Sequence, residues 1–278
     1  MTGILHSRAA ISDMPAYQGH TLLELVIALA LGLILTCTGL SLYQSQHVAS
    51  ERMEERARMT EAGFAALHLL SAHLRLSGFS APPGAPFGAA LFGCSAGRPV
   101  SANNSSGGSV CQPDRAIRSD SLEVRYVADS ISTWPASNGK PTDCLGQAIP
   151  ATQTPESSRA FAINRFFVRK SPASGQNELS CEGSGRRGVA QPLVEGIEHL
   201  SVRYQLAGSE EWLDARALQP EQWNTVMAVE LCVQVSGTRS ATPLSYLDCD
   251  GARATPPDAR LRQTFTRQIA LRNQLLRK

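Results

Sequence analysis

The sequence has little that points to catalysis. It contains no Walker loop and no Cys-x-x-Cys pair. A phosphate cradle and a zinc site built on paired cysteines are therefore not written in it. The six histidines are scattered, and His68 and His73 are five apart, which puts them on different faces of a helix. Asp248, Asp250 and Asp258 lack the spacing of an EF-hand loop. Aromatic residues make up only 6%, too few to interleave the basic C-terminus (Arg260, Arg262, Arg267, Arg272, Arg277, Lys278) as a nucleic-acid surface would require. Arginines on an edge strand, where they guard against strand addition, are the simpler reading. The formal charge of +2 favours no class of partner. No cofactor, no metal and no catalytic residue is assigned, and the chain reads as something other than an enzyme.

Charge is also missing from Leu25 to Leu42, 18 residues long. A spanning helix needs roughly 17–25 residues, so this run is read as a membrane segment. Residues 1–19 hold Arg8 and Asp13 and have no apolar core, unlike a secretory signal. Initiation at Met1 or at Met14 is open. Cys37 lies in the apolar run; Cys94, Cys111, Cys144, Cys181, Cys232 and Cys249 follow it. An even set beyond a membrane segment suggests disulfides in an oxidising compartment, with pairing between sequence neighbours as the preferred choice among 15.

Gly19-His20-Thr21-Leu22-Leu23-Glu24, followed by that run, resembles the type IV prepilin processing motif. The resemblance implies cleavage between Gly19 and His20 by a prepilin peptidase, N-methylation of His20, and a subunit-assembly role for Glu24 opposite a neighbour's terminal amine. A carboxylate inside a bilayer is costly and needs such a partner. His20 stands where the family usually has Phe.

Proline is absent from Gln44 to Leu76, and Gly63 is the one glycine there. Met53, Ala57, Thr60, Phe64, Leu67, Ser71 and Leu74 recur at helical steps, with charges on the other faces. Gly78 and Pro82-Pro83 supply the stop. A helix from His20 to Gly78 would be about 89 Å long at 1.5 Å per residue.

The stretch from Ala81 to Ser121 reads as loop, bracketed by Cys94 and Cys111, and Pro150 to Ser158 reads as another. Leu122, Val124 and Tyr126 alternate with Glu123 and Arg125 as a half-buried strand. Further strands are expected over Phe161–Arg169, Leu200–Leu206 and Met227–Val235, and one around Phe265, Ile269 and Leu271 with Arg267 marking a bulge or an edge. A helix followed by antiparallel strands is an α+β pattern.

The segments Ser121–Tyr126, Gln191–Leu200, Arg203-Tyr204 and Leu271–Asn273 resemble PilW-type minor pilins. This implies a pilin-like fold, with a long N-terminal transmembrane and amphipathic helix packed on an antiparallel sheet. It divides the chain into a leader (1–19), a membrane half of the stem (20–43), an amphipathic half (44–78) and a disulfide-bearing head (79–278). The implied function is that of a minor pilin priming or capping a type IV pilus from the inner membrane, with the head periplasmic and later at the cell surface. The implied partners are the peptidase, other minor pilins, the major pilin, the inner-membrane assembly platform and lipid, and not nucleic acid. The alternatives are a type II secretion pseudopilin or a membrane-anchored periplasmic binding domain.

Overall fold

One helix, α1 (Leu22–Leu76), leads the chain in the computed structural model, which describes residues 21–80, 88–102, 108–114, 118–154, 157–240 and 243–273. Thr21 opens it: the Glu24 amide donates to Thr21 Oγ1 at 3.3 Å, the N-cap contact expected of threonine. Gly78 closes it with a φ of +73°, a conformation that suits glycine. The chain divides into two units, Met1–Met53 and Glu54–Lys278.

In the first unit the described residues are helical from Leu22 and exposed throughout. Its polar side chains are satisfied locally. Thr36 Oγ1 donates to the Gly32 and Leu33 carbonyls, and Thr38 Oγ1 to those of Ile34 and Leu35. Such back-bonding lets a hydroxyl enter hydrocarbon without an orphaned donor. α1 is long and apolar enough to cross a membrane.

In the second unit α1 buries Glu55, Met59, Gly63, Ala66, Leu67, Leu70, Ser71 and Leu74. The periodic stripe read from the sequence coincides with this face only from Leu67 onward; Met53 and Phe64 are exposed. The reason is steric. The helix lies so close to a strand at Gly63 that an added Cβ would run into the Phe265 ring. A small residue therefore holds the inner face, and the larger Phe64 is turned outward in a tilted contact with the same ring, centroids 5.4 Å apart.

The strands are β1 (Leu91–Cys94), β2 (Gly97–Ser101), β3 (Ser109–Pro113), β4 (Ser121–Ala128), β5 (Thr152–Thr154), β6 (Ser157–Lys170), β7 (Asn177–Glu182), β8 (Ala190–Glu195), β9 (Ile197–Leu206), β10 (Trp212–Asp214), β11 (Val226–Arg239), β12 (Tyr246–Leu247), β13 (Arg253–Ala254) and β14 (Arg260–Ala270). One sheet runs β1-β4-β6-β7-β8, with β5 also on β6; a second runs β10-β9-β11-β14. All their pairings are antiparallel. The fold is α+β, as the periodicities implied. The inner faces supply one core: Leu70 and Leu74 of α1, Tyr126 and Phe166 of the first sheet, and Leu200, Leu231 and Ile269 of the second, all belong to it.

Two hairpins, β2-β3 and β12-β13, stand apart from the sheets. The first corrects the reading of 81–121 as loop: β1, β2 and β3 all fall there. It also corrects β4, which is buried along its whole length rather than on one face. Leu122, Val124 and Tyr126 face the core, while the opposite face is covered as well.

Candidate functional site

Gly19 and His20 lie outside the described residues. Glu24 is exposed in the first turn of α1. The cysteines of the head join as Cys94–Cys111, Cys144–Cys181 and Cys232–Cys249, and Cys37 is free and exposed.

Each disulfide anchors a segment over a sheet. Cys94–Cys111 ties the β2-β3 hairpin to β1, and beneath the hairpin sits a charge cluster on the outer face of β4 and β6. Glu123 is fully buried. It pairs with Arg125, and with Arg165 Nε at 2.6 Å. Ser109 Oγ of the hairpin donates to its carboxylate at 2.8 Å, and Arg125 Nη2 donates to Ser109 Oγ at 2.7 Å. Arg165 also meets Glu182 at 3.3 Å. The Glu123 and Glu182 carboxylates thus face the Arg125 and Arg165 guanidiniums, and such pairing is the condition for keeping charge out of water.

Cys144–Cys181 ties the 129–149 loop to β7 near a second polar group inside the core. His73 Nδ1 lies 3.5 Å from the Tyr126 hydroxyl and 3.4 Å from Asn164 Nδ2. Asn164 Nδ2 donates to that hydroxyl at 3.0 Å, and its Oδ1 accepts from the Cys144 amide at 3.1 Å. Burial lowers the His73 pKa to about 4, against a smaller upward pull from Asp143. Burial likewise raises Tyr126 to about 12. Both groups are neutral at pH 7, and they form a structural link between α1 and the first sheet.

Cys232–Cys249 ties the β12-β13 hairpin to the outer face of the second sheet. Arg203 meets Asp250 at 2.8 Å, and Thr264 Oγ1 donates to the Leu247 carbonyl at 3.0 Å. Arg262 is held between Glu198 and Asp258, each at 2.6 Å. Its hydrogen bond pulls the Asp258 carboxyl down to about 2. The three aspartates weighed for calcium therefore already accept from protein donors: Asp248 Oδ1 takes the Asp250 and Ala252 amides. The basic C-terminal strand is an edge, β14, and Arg262 within it is an internal ion-pair partner rather than a free cation.

Two glycine patterns need their context to be read. Gly93-Cys94-Ser95-Ala96-Gly97 has the spacing of a hydrolase nucleophile elbow. Here it joins β1 to β2 instead of a strand to a helix, and Ser95 Oγ is buried with no hydrogen-bond partner among the described residues. Gly183-Ser184-Gly185-Arg186-Arg187-Gly188 has dinucleotide-loop spacing. It joins β7 to β8, so no helix N-terminus faces it. Its glycines make room for Asp143, whose Oδ2 accepts the Gly185 amide at 2.8 Å. Among the described residues no group of acids, histidines and cysteines could hold a metal ion.

The surface offers two features the sequence reading missed. Ile131 and Trp134 project from the loop after β4 at 83% and 87% exposure. A groove beside α1 is lined by Met59, Ala62, Leu193, Val194 and Val235, among others.

No curated protein matches the chain. Among solved structures it is similar to a type IV-like pilin from Thermus thermophilus, at 14% identity and a TM-score of 0.39, over 78% of this chain and 98% of that one. Residues 165–273 match the family model described as type IV pilus-assembly protein W. That span takes in Gln191–Leu200, Arg203-Tyr204 and Leu271–Asn273; Ser121–Tyr126 and the N-terminal motif precede it. From within β6 to its last described residues, the head is thus similar to the type IV pilus-assembly protein W family.

Proposed function

We propose that this chain is a minor pilin. It inserts in the inner membrane with its head in the periplasm, is cut after Gly19, and joins other minor pilins and the major pilin to prime or cap a type IV pilus. The observation that carries the reading is α1 itself. It is one helix, apolar and exposed near its start and packed into a head of the pilus-assembly family near its end. An apolar exposed half needs either lipid or other stems around it, and a filament supplies the second after the membrane supplies the first.

In this reading Glu24 contributes the carboxylate that meets a neighbour's terminal amine. The charged pair forms where dielectric screening is weak, so it selects axial register among otherwise similar apolar contacts. The disulfides and the outer-face hairpins hold the head rigid outside the cell.

N-terminal sequencing of protein purified from membranes tests the reading. The expected first residue is His20, carrying a methyl group. An uncut Met1 or Met14 in cells containing the peptidase overturns it. Glu24→Ala is expected to be processed normally and to enter pili poorly.

A further inference from the structure

We propose that the free edge of β14 takes on an added strand from an acidic protein partner, an extended segment with two carboxylates on one face, four residues apart. The contact lies within the head and does not rest on the pilus reading.

The register shows which backbone groups are free. The Leu271 amide donates to the Met227 carbonyl at 2.8 Å. Bonded and unbonded pairs alternate along an antiparallel ladder. With Ile269 opposite Val229 and Arg267 opposite Leu231, the amides and carbonyls of Ile269 and Arg267 turn toward β11. Those of Thr266, Gln268 and Ala270 turn outward. All three residues are exposed, and no described residue bonds to their outward groups. An open ladder of this kind is a template for strand addition.

The side chains beside this edge set the charge of the partner. Phe265 and Ile269 face the core, and Arg267 between them shares that face but stays exposed. At the end of the strand Arg75 of α1 and Arg272 line a cavity of about 340 Å³ with Gln268, Ile269 and Ala270. None of these three arginines has an ion-pair partner among the described residues. Glu230 lies on the outer face, where it accepts from Gln268 Nε2 at 2.8 Å, so it does not neutralise them. Phe64 is 60% exposed and touches the Phe265 ring, which leaves apolar surface along the same border.

These features select one kind of occupant. An inward-facing cation at an edge bars a strand with an apolar or basic residue opposite it and admits a carboxylate there. A second β14 would set its own Arg267 and Arg272 against the same cations. The residues after Asn273 include Arg277 and Lys278 and no acidic side chain, so they too have the wrong charge. Residues i, i+2 and i+4 of a strand share a face. A partner with one acid opposite Arg267 therefore brings an acid four residues on to the Arg75–Arg272 cavity, with an apolar residue between them beside Ile269.

Fluorescence anisotropy of the full chain in detergent tests this with a labelled, end-capped peptide, Thr-Glu-Thr-Val-Thr-Glu-Thr. Saturable binding with a Kd at or below about 1 mM is expected. Its absence means that the arginines only fend strands off, and overturns the proposal. Changing both Glu to Lys should weaken binding about tenfold, and moving one Glu by a single position, to the other face, about threefold; equal binding of either peptide overturns it. Arg267→Glu should reverse the preference in favour of the Lys peptide, and an unreversed preference overturns the pairing. Ala270→Pro removes an outward amide but no bond to β11, a change that edge strands tolerate. It should cost about fivefold in affinity, and unchanged affinity overturns the strand geometry. Equal or tighter binding of a labelled single-stranded oligonucleotide marks a general anion surface and overturns the proposal as well. Mass mapping of the three native disulfides checks that each variant is folded.

Discussion

Replacing Glu123 by Gln removes one charge from the centre of the head and almost no volume. In the native protein this carboxylate is fully buried and neutralises Arg125 and Arg165, whose side chains are 3% and 9% exposed. After the change, Arg125 and Arg165 both lose that carboxylate. The Arg165 contact with Glu182 remains, and it is the longer of the two, at 3.3 Å. The new amide group must also turn its own donors toward cations. Losing one partner of a buried pair costs about 3–5 kcal/mol. A domain of this size is held by only about 5–15 kcal/mol, so the loss is a large part of the total. At roughly 2–4 °C per kcal/mol, the melting temperature falls by about 6–20 °C. Urea unfolding of the full chain in detergent, followed by tryptophan fluorescence, reads it out, because Trp223 is buried in the head. Asp250→Asn is the control. It breaks the Arg203 pair, whose side chains are 40% and 76% exposed, and is expected to cost less than about 1 kcal/mol. If Glu123→Gln costs no more than that control, the β2-β3 hairpin does not seal its cluster from water and the reasoning fails.

Gly63→Ala reverses the usual sign for a helix: alanine normally gains about 1 kcal/mol, but here its methyl group meets the Phe265 ring. A net loss of about 1–3 kcal/mol is expected from overpacking, recovered in part by Phe265→Leu; equilibrium unfolding checks both. Because the folded pKa of His73 is about 4 against 6.5 when unfolded, the unfolded chain binds the proton first as pH falls. Stability is therefore full above pH 6.5 and declines toward pH 4, by at most about 3 kcal/mol. His73→Gln should flatten the difference between unfolding curves at pH 7 and pH 5, and an unaltered difference would show that other groups set it. Opening Cys232–Cys249 with paired serines releases a loop with a sequence separation of 17 and should cost about 2–4 kcal/mol. Hydrogen exchange should speed up first over residues 243–259, and uniform acceleration would contradict a local anchor.

The helix and the main strands were legible because each follows a simple period. The absence of proline and charge where α1 crosses from apolar run to stem, and the alternation in β9 and β11, report backbone geometry directly. The cysteine pairing was also accessible in outline, since the disulfides join sequence neighbours. β7 and β8 were not anticipated. β8 is broken by Pro192 on an edge, and β7 is short and buried on both faces, so neither alternates. Glu123 and Arg125 misled for a related reason: charged residues in an alternating strand imply an open face unless another segment closes it. The two glycine patterns carry no chemistry here, because a spacing has chemical meaning only when the right elements flank it.

The sequence by itself therefore determined the class: a membrane-length apolar run feeding a helical stem, six cysteines beyond it, and antiparallel strands behind. These depend on local periodicity and on the compartment. The tertiary structure decided which side of the stem is buried, what covers the outer faces of the sheets, and which large apolar side chains of the head stay exposed. Those facts arise from contacts between residues far apart in the chain, such as Gly63 with Phe265 or Ser109 with Glu123. No local pattern encodes them, because each depends on the shape of the partner as much as on the residue itself.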